Sequence, residues 1–237
     1  MGSRRARLAA VGAAISLLCV ACGSRGSAPE ALPPVETTGA ARAAATVATV
    51  DERPRIVVLG DSLTAGLGLS PDDAYPSLLQ RKVDTAGVKY LIVNAGVSGD
   101  TSAGGLSRLD WALGGDVRIL VVALGGNDGL RGLPVQELEH NLAAIIERAQ
   151  ARHVRVILAG MEAPPNFGDG YLLAFRQVYA GLAATYHVPF IPFLLQGVAG
   201  IDALNQRDGI HPTAAGARIV ADNVWAALRP LIEPKTK

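Results

Sequence analysis

Cysteine and aromatic residues are scarce in this sequence, and each shortage excludes a way of building a protein. The 237 residues include 2 cysteines, Cys19 and Cys22, and both lie near the N-terminus. The rest of the chain therefore has no disulfide framework. Aromatic residues amount to 5% of the chain, so a core must be built mainly from Val, Leu, Ile and Ala.

An excess of charge of one sign is also missing. The formal net charge is +1, and charged residues make up 18% of the chain. A nucleic-acid-binding domain would show a basic patch or stripe, so we expect no nucleic-acid partner. The hydrophobic fraction of 49% is ample for a core and excludes an intrinsically disordered chain.

The apolar run near the N-terminus is too short for a comfortable membrane span. Residues 8–21 (LAAVGAAISLLCVA) are uncharged and follow three arginines in residues 1–7, a pattern typical of a signal peptide. Residues 18–24 (LCVACGS) resemble a bacterial lipoprotein cleavage box, in which Cys22 would carry the lipid and tether the protein to a membrane. Cys19 stands where an aliphatic residue is usual in such a box, so an ordinary secretory signal, cleaved for example after Ala21, stays open.

The composition divides the chain into three parts. Residues 1–22 are predicted to be a signal peptide, and either kind of signal implies export, to the periplasm or to a membrane as a lipoprotein. Residues 23–53 are rich in Ala, Pro, Thr and Ser without apolar periodicity, which indicates a flexible tether. Residues 54–237 are predicted to form the folded domain.

From residue 55 onward, short aliphatic runs alternate with longer amphipathic stretches. The aliphatic runs are continuous, as in strands covered on both faces, and lie at 56–59, 90–93, 118–124, 155–158 and 188–192. Helical patterns occupy 74–85, 106–113, 134–152, 171–186 and 213–228. This order predicts an α/β fold, a three-layer α/β/α sandwich around a five-stranded parallel sheet. Pro189 and Pro192 place the last strand at a sheet edge.

The polar motifs of the chain lie where such a fold binds ligands, at the carboxyl ends of its strands. GDSLTAG follows the first predicted strand, NAGVSGD the second, GGNDGL the third and MEAPPNFG the fourth, and DGIHP directly precedes the last helix. We therefore expect these motifs to meet at one edge of the sheet.

One of the four histidines is placed to act as a base. His140, His153 and His187 lie in polar helical or helix-terminal positions, where a solvated role is expected. His211 follows Asp208 by three residues, and a carboxylate so placed can fix the imidazole tautomer and leave the other nitrogen as an acceptor. By itself this spacing also occurs in ordinary polar turns.

Three groups on separate strand-end loops are candidate donors to one oxyanion. They are the backbone N–H groups of Ser62 and Gly99 and the side-chain amide of Asn127. Glycine and Asn-Asp-Gly are also common turn sequences, so each motif taken alone leaves a structural role open. A serine is inert at neutral pH without such a base and such donors.

Four blocks in this order resemble the SGNH, or GDSL, family of serine esterases and lipases: GDSL at 60–63, NAGVSGD at 94–100, GGND at 125–128 and DGIHP at 208–212. Block spacing and flanks are most similar to the branch of periplasmic thioesterase, lysophospholipase and arylesterase enzymes. The resemblance covers about residues 55–230 and implies a flavodoxin-like SGNH hydrolase fold. It implies Ser62 as nucleophile, His211 as general base and Asp208 as the residue orienting it. Ser62, Gly99 and Asn127 would form the oxyanion hole.

Other kinds of site fit the residues less well. The nucleophile elbow of the α/β-hydrolase fold is G-x-S-x-G, whereas the sequence here is GDSLT. Asp61, beside the candidate nucleophile, is expected to accept hydrogen bonds from loop amides. Asp100 and Asp128 belong to no cluster with metal-ligand spacing, so we expect neither a metal nor another cofactor.

Apolar loop residues indicate the kind of substrate. Leu130, Leu133, Pro165 and Phe167 are the candidate substrate-binding residues. Leu130 and Leu133 would belong to one wall, and Pro165 and Phe167, with Met161, Pro164 and Asn166, to another side, although loop hydrophobics also simply cover a core. Such walls favour short- to medium-chain acyl esters and thioesters, including aryl esters and lysophospholipids. A carbohydrate O-acetyl esterase and an inert envelope-tethered binding module are the alternatives. We expect a monomer or a weak oligomer acting on a small molecule.

Overall fold

The computed structural model describes residues 51–233. The predicted signal peptide (1–22), the lipidation at Cys22 and most of the tether (23–53) lie outside the described residues, so these assignments stay predictions. Within residues 51–233, no helix is long and apolar enough to cross a membrane.

Five parallel strands form one sheet, as the sequence predicts. The strands are β1 (Arg55–Gly60), β2 (Leu91–Gly96), β3 (Val117–Ala123), β4 (Arg155–Ala159) and β5 (Phe190–Ile191). Their order is β2-β1-β3-β4-β5, with β5 at an edge, which is the flavodoxin-like order. The register pairs Gly60 with Gly96 on one side and with Ala123 on the other, so the first three strands end level with one another. The chain reverses direction across the sheet at β1, and the loops after β1 and β3 border the crevice where this fold binds ligands.

Helices cover both faces of the sheet. The eight helices of the described part are α1 (Ser62–Ala65), α2 (Tyr75–Thr85), α3 (Ser102–Ser107), α4 (Leu109–Ala112), α5 (Gly126–Leu130), α6 (Val135–Gln150), α7 (Asp169–Tyr186) and α8 (Ala214–Ile232). Helices α2 and α8 pack together on one face, and α3, α6 and α7 pack on the other. The three-layer α/β/α architecture is confirmed.

The aliphatic composition produces the expected core. The residues 56–59 and 119–124 are at most 2% exposed, because both faces of β1 and β3 are covered. Three aromatic rings of the described residues are buried, Tyr75, Phe175 and Tyr179, and both tyrosine hydroxyls find partners. The Tyr179 hydroxyl donates to the Leu124 carbonyl at 3.0 Å, and the Tyr75 hydroxyl lies 2.7 Å from the Thr64 hydroxyl.

The helix predicted over 106–113 is wrong in its bounds. Two short helices stand there instead, α3 and α4, and the break falls at Arg108, whose φ of −106° and ψ of 10° leave the helical region. The side chain of Arg108 turns toward the sheet and bonds to groups at the ends of β1 and β2, which a continuous helix would not position. Helix α3 begins in SAGG, whose glycines disfavour helix and conceal its start in the sequence.

Candidate active site

Ser62 stands at the first position of α1, directly beyond strand β1. Asp61 caps this helix because its carboxylate accepts the Leu63 N–H at 3.0 Å. Gly60 is required at the end of the strand, since a Cβ atom there would collide with the Thr64 side chain and approach the Ala123 carbonyl. The tight strand-to-helix turn presents the Ser62 side chain at the carboxyl edge of the sheet.

Ser62, His211 and Asp208 form one hydrogen-bonded chain. Ser62 Oγ lies 2.8 Å from His211 Nε2, and His211 Nδ1 lies 2.7 Å from Asp208 Oδ2. The other oxygen of Asp208 accepts the backbone N–H groups of Ile210 at 2.9 Å and His211 at 3.0 Å. Gly209, with φ of 71°, provides the left-handed turn that folds Asp208 back onto the ring.

Hydrogen bonds hold Asp208 in its charged form. The backbone N–H groups of His211 and Ile210, followed by the His211 ring, lower the pKa of Asp208 from 3.8 to about 2. An ionised carboxylate on Nδ1 keeps the proton of a neutral imidazole on that nitrogen and leaves the Nε2 lone pair directed at the Ser62 hydroxyl. This arrangement is suited to removing the serine proton. His140, His153 and His187 are exposed, as expected.

The three candidate oxyanion donors lie on neighbouring loops. The Ser62 N–H belongs to the first turn of α1 and so has no partner within the helix. Asn127, in the first turn of α5, donates through Nδ2 to the Asp100 carbonyl at 2.9 Å and contacts Asp61 Oδ2 at 3.4 Å. Gly99 has φ of 86°, and its carbonyl accepts from Arg131 at 2.8 Å, while its N–H has no hydrogen-bond partner among residues 51–233.

A cleft of about 370 Å³ opens beside Ser62, Asn127 and His211. Its walls are mostly apolar and include Leu63, Leu130, Met161, Ala163, Pro164, Pro165, Phe193, Leu195, Ala199 and Ile210. Of the predicted substrate-binding residues, Leu130 and Pro165 line this cleft. Leu133 and Phe167 lie outside its lining, and Phe167 instead packs on Tyr171 with ring centroids 5.3 Å apart.

Sequence reasoning missed part of this lining. Phe193 and Leu195 directly follow β5, and Ile210 immediately precedes His211. The first two obey the rule that pointed to the other motifs, since they too follow the carboxyl end of a strand. The strand itself was predicted at 188–192, but the residues after it form no polar motif like those that follow the other four strands.

Asp61 is buried behind the candidate nucleophile. It is 2% exposed, and burial raises its pKa from 3.8 to about 6, against the lowering effect of the Leu63 N–H and of His211. Its contacts with Leu63 and Asn127 are those of the loop-capping role expected from the sequence.

Asp100 and Asp128 are both engaged in the loops around the site. Asp100 pairs with Arg108 at 2.6 Å. Asp128 accepts the backbone N–H of Ser102 at 2.8 Å and its hydroxyl at 2.5 Å. In the described part of the chain, no group of three or more His, Cys, Asp or Glu side chains is arranged to hold a metal ion.

Comparison with known proteins identifies the family. The GDSL-like Lipase/Acylhydrolase family matches residues 58–219. The Esterase TesA of Pseudomonas aeruginosa is 44% identical over 178 residues, 75% of this chain and 89% of that protein. The Thioesterase 1/protease 1/lysophospholipase L1 of Escherichia coli K12 is 39% identical over 178 residues, 75% of this chain and 84% of that protein. The crystal structure of TesA has a TM-score of 0.72 at 43% identity, covering 75% of this chain and 99% of that one.

These matches place the protein in the class of carboxylic ester hydrolases. The chain belongs to the GDSL-like lipase/acylhydrolase family, and its five-stranded sheet and flanking helices are those of an SGNH hydrolase.

Proposed function

We propose that the protein is an exported serine esterase that hydrolyses short- to medium-chain acyl esters and thioesters, including aryl esters and lysophospholipids, through an acyl-enzyme. The observation that carries this proposal is the continuous chain from Ser62 Oγ to His211 at 2.8 Å and on to Asp208 at 2.7 Å, placed at the wall of an apolar cleft. Hydroxyl, imidazole and carboxylate in this order make a weak nucleophile competent.

Acylation begins with transfer of the Ser62 hydroxyl proton to His211 Nε2 while Oγ attacks the carbonyl carbon of the substrate. The carbonyl oxygen becomes an oxyanion and accepts from the N–H groups of Ser62 and Gly99 and the amide of Asn127. The tetrahedral intermediate then breaks its C–O or C–S bond. The leaving alcohol or thiol takes the proton from His211, and the acyl group remains on Ser62.

Deacylation repeats the same steps with water as the nucleophile. His211 removes a proton from water as the oxygen attacks the acyl carbon, and the same donors stabilise the second oxyanion. The bond to Oγ breaks, Ser62 recovers its proton from His211, and the free acid leaves. Asp208 stays ionised throughout and stabilises the imidazolium that forms twice in each turnover.

The lining of the cleft supports an acyl substrate. Leu130, Met161, Phe193 and Ile210 are apolar side chains close to the candidate nucleophile, and a cleft of about 370 Å³ falls in the range of small-molecule sites. The names of the two relatives include esterase, thioesterase and lysophospholipase, three activities that share acyl transfer to a nucleophile.

Export is supported by the sequence of the first 22 residues, a short uncharged apolar run after three arginines. We propose release into the periplasm or anchoring through a lipid on Cys22. Mass spectrometry of the mature N-terminus distinguishes these outcomes. A diacylglyceryl mass on Cys22 supports anchoring, an unmodified N-terminus near Ala21 supports release, and an intact Met1 contradicts export.

Labelling with a fluorophosphonate probe tests the nucleophile. The wild-type protein should be labelled and the Ser62→Ala variant should not, because the probe reacts with an activated serine hydroxyl. Ser70, an exposed serine whose hydroxyl donates to Asp73 at 2.8 Å, provides the control variant Ser70→Ala, which should label normally. An unlabelled wild type, or full labelling of Ser62→Ala, would contradict the serine mechanism.

A chain-length series tests the substrate class. We expect nitrophenyl esters from butanoyl to decanoyl and the matching acyl thioesters to be hydrolysed, with longer chains gaining through lower KM because they bury more apolar surface in the cleft. Activity that peaks at acetyl and collapses by hexanoyl would overturn this assignment in favour of an O-acetyl esterase.

A further inference from the structure

Arg108 bonds to two backbone carbonyls and one side-chain carboxylate around the candidate oxyanion hole. Its Nε donates to Asp100 Oδ2 at 2.6 Å, its Nη1 to the Ala95 carbonyl at 2.7 Å and its Nη2 to the Gly60 carbonyl at 2.8 Å. The side chains of Arg108 and Asp100 are each 18% exposed, so these bonds form largely out of water. The guanidinium does not line the cleft that would hold the acyl group.

Two of the three acceptors, Gly60 and Asp100, lie close in the chain to groups that would bind the oxyanion. Gly60 is the last residue of β1, two residues before Ser62, and its carbonyl also accepts the Val97 N–H at 3.0 Å. Asp100 directly follows Gly99. The carbonyl of the same Asp100 receives the Asn127 side-chain amide at 2.9 Å. The guanidinium of Arg108 therefore contacts the segments that carry the Ser62 and Gly99 donors. Through Asp100 it is also connected to the third donor, Asn127.

We propose that Arg108 is a positioning residue that sets the spacing of the three oxyanion donors. This inference rests on the proposed function. The rigid fork of the guanidinium fixes the end of β1 relative to the loop that carries Gly99, and it fixes the carbonyl that orients Asn127. Because an oxyanion exists only in the transition state and the intermediates, the spacing of its donors affects kcat and not the binding of substrate.

The loop has a second attachment that does not involve Arg108. The backbone N–H and hydroxyl of Ser102 bond to Asp128, and Asn141 donates to the same hydroxyl at 3.0 Å. Thr101 also caps α3 through the Gly104 N–H. The loop should therefore keep its fold without Arg108, while the distances among the donors relax. A role in folding alone predicts the opposite result, a lower melting temperature with unchanged turnover.

Two substitutions at Arg108 and one control test the proposal. Arg108→Met keeps the length of the side chain but removes all three bonds, and Arg108→Lys keeps the charge but cannot reach three acceptors in a plane. Arg148→Met is the control, because Arg148 also pairs with an aspartate at 2.6 Å but lies exposed on α6. Steady-state kinetics with a nitrophenyl ester, thermal unfolding and a pH profile are measured for each.

The expected result is a loss confined to turnover. For Arg108→Met we expect kcat to fall by about 10- to 100-fold, with KM changed by less than about threefold. This loss of kcat should not exceed the loss that follows removal of a whole oxyanion donor. Arg108→Lys should regain part of this loss, and Arg148→Met should match the wild type. The pH profile should keep its shape, because the bonds of His211 to Ser62 and Asp208 are untouched. A trifluoromethyl ketone, which forms a tetrahedral adduct on a serine, should lose affinity by the same factor as kcat.

Several outcomes would overturn the proposal. Folded Arg108→Met with wild-type kcat, a loss that falls on KM, or unchanged affinity for the ketone would each assign Arg108 to folding or substrate binding. If Arg108→Met does not fold, Arg108→Lys decides by the same criteria. Failure of the wild type to react with the fluorophosphonate would remove the proposed function instead, so the two failures are distinguishable.

Discussion

Two carboxylates belong to the candidate active site: Asp61, next to Ser62 in the chain, and Asp208, hydrogen-bonded to His211. Their surroundings move their pKa values in opposite directions. Asp208 is exposed and receives two backbone N–H groups and an imidazole, which lower its pKa to about 2. Asp61 is buried, and desolvation raises its pKa to about 6. Because both residues are aspartates, the difference comes from their environments: Asp208 is hydrogen-bonded to the histidine, and Asp61 caps the helix α1. The sequence predicted both roles, because Asp208 precedes His211 by three residues and Asp61 lies in the loop after the first predicted strand.

Replacing Asp208 with asparagine tests whether the negative charge of the side chain, and not only its size, is needed for activity. Asp208→Asn keeps the size of the side chain but removes the anion that holds the Nδ1 proton, so we expect kcat to fall by about 10²- to 10⁴-fold. The folded-state pKa lies below the unfolded value of 3.8, so the contribution of Asp208 to stability is present above pH 4 and is lost as the pH falls toward 2. Equal melting temperatures of variant and wild type at pH 7, or wild-type kcat at pH 7, would contradict this assignment.

Asp61→Asn should show the opposite dependence of stability on pH. The folded pKa of about 6 exceeds the unfolded value of 3.8, so ionisation of Asp61 is unfavourable in the folded protein and stability is lost as the pH rises between those values. Asparagine does not ionise there. Relative to the wild type, the free energy of unfolding of the variant should therefore rise by roughly 2–3 kcal/mol between pH 4 and pH 7. Urea unfolding at pH 4, 5 and 7 measures this difference, and a constant difference would refute it.

At the level of elements, the carboxyl ends of β1 and β2 are packed against the helix that carries Ser62. A Cβ atom at Gly96 would collide with the backbone of Thr64 and Ala65 in α1. The sequence shows Gly96 only as one of two glycines in NAGVSGD and does not reveal its close approach to α1. Periodicity does not reveal α1 or α5 either, because helices of four or five residues complete little more than one turn. The longer helices α2, α6 and α7 were predicted to within two residues of their observed ends, whereas α8 continues four residues beyond its predicted end at 228.

A matched pair of glycine substitutions tests this packing. Gly96→Ala should displace α1, lowering stability by about 1–3 kcal/mol and reducing kcat, because the strain falls on backbone that cannot move freely. Gly181→Ala in the exposed interior of α7 has open space around its new methyl group and should raise stability by about 1 kcal/mol with unchanged kcat. Chemical denaturation and kinetics measure both variants. Equal effects of the two substitutions would show that the contact between β2 and α1 does not constrain the site.

Over the whole molecule, features that depend on residues near one another in the chain could be predicted from the sequence, and features that depend on contacts between distant residues could not. The order of strands and helices is recorded in local apolar periodicity, and the edge location of the motifs follows from the topology of a parallel sheet. The bonds of Arg108 to Gly60 and Ala95 join residues 48 and 13 positions apart, and no local pattern records them. The same is true of the cleft wall at Phe193, which depends on how the loops after β4 and β5 fold toward Ser62.

The fold also separates the residues of the core from the candidate catalytic residues. Leu120 lies in the middle of β3, fully buried between Val57 and Val156, whereas Ser62, Asn127 and His211 lie beyond the strand ends. Leu120→Ala should therefore lower the free energy of unfolding by about 2–5 kcal/mol while kcat per folded molecule stays within about twofold of the wild type. Denaturation midpoints and active-site titration with the fluorophosphonate measure the two effects separately, and a parallel loss of kcat in Leu120→Ala would mean that the core and the site are energetically coupled.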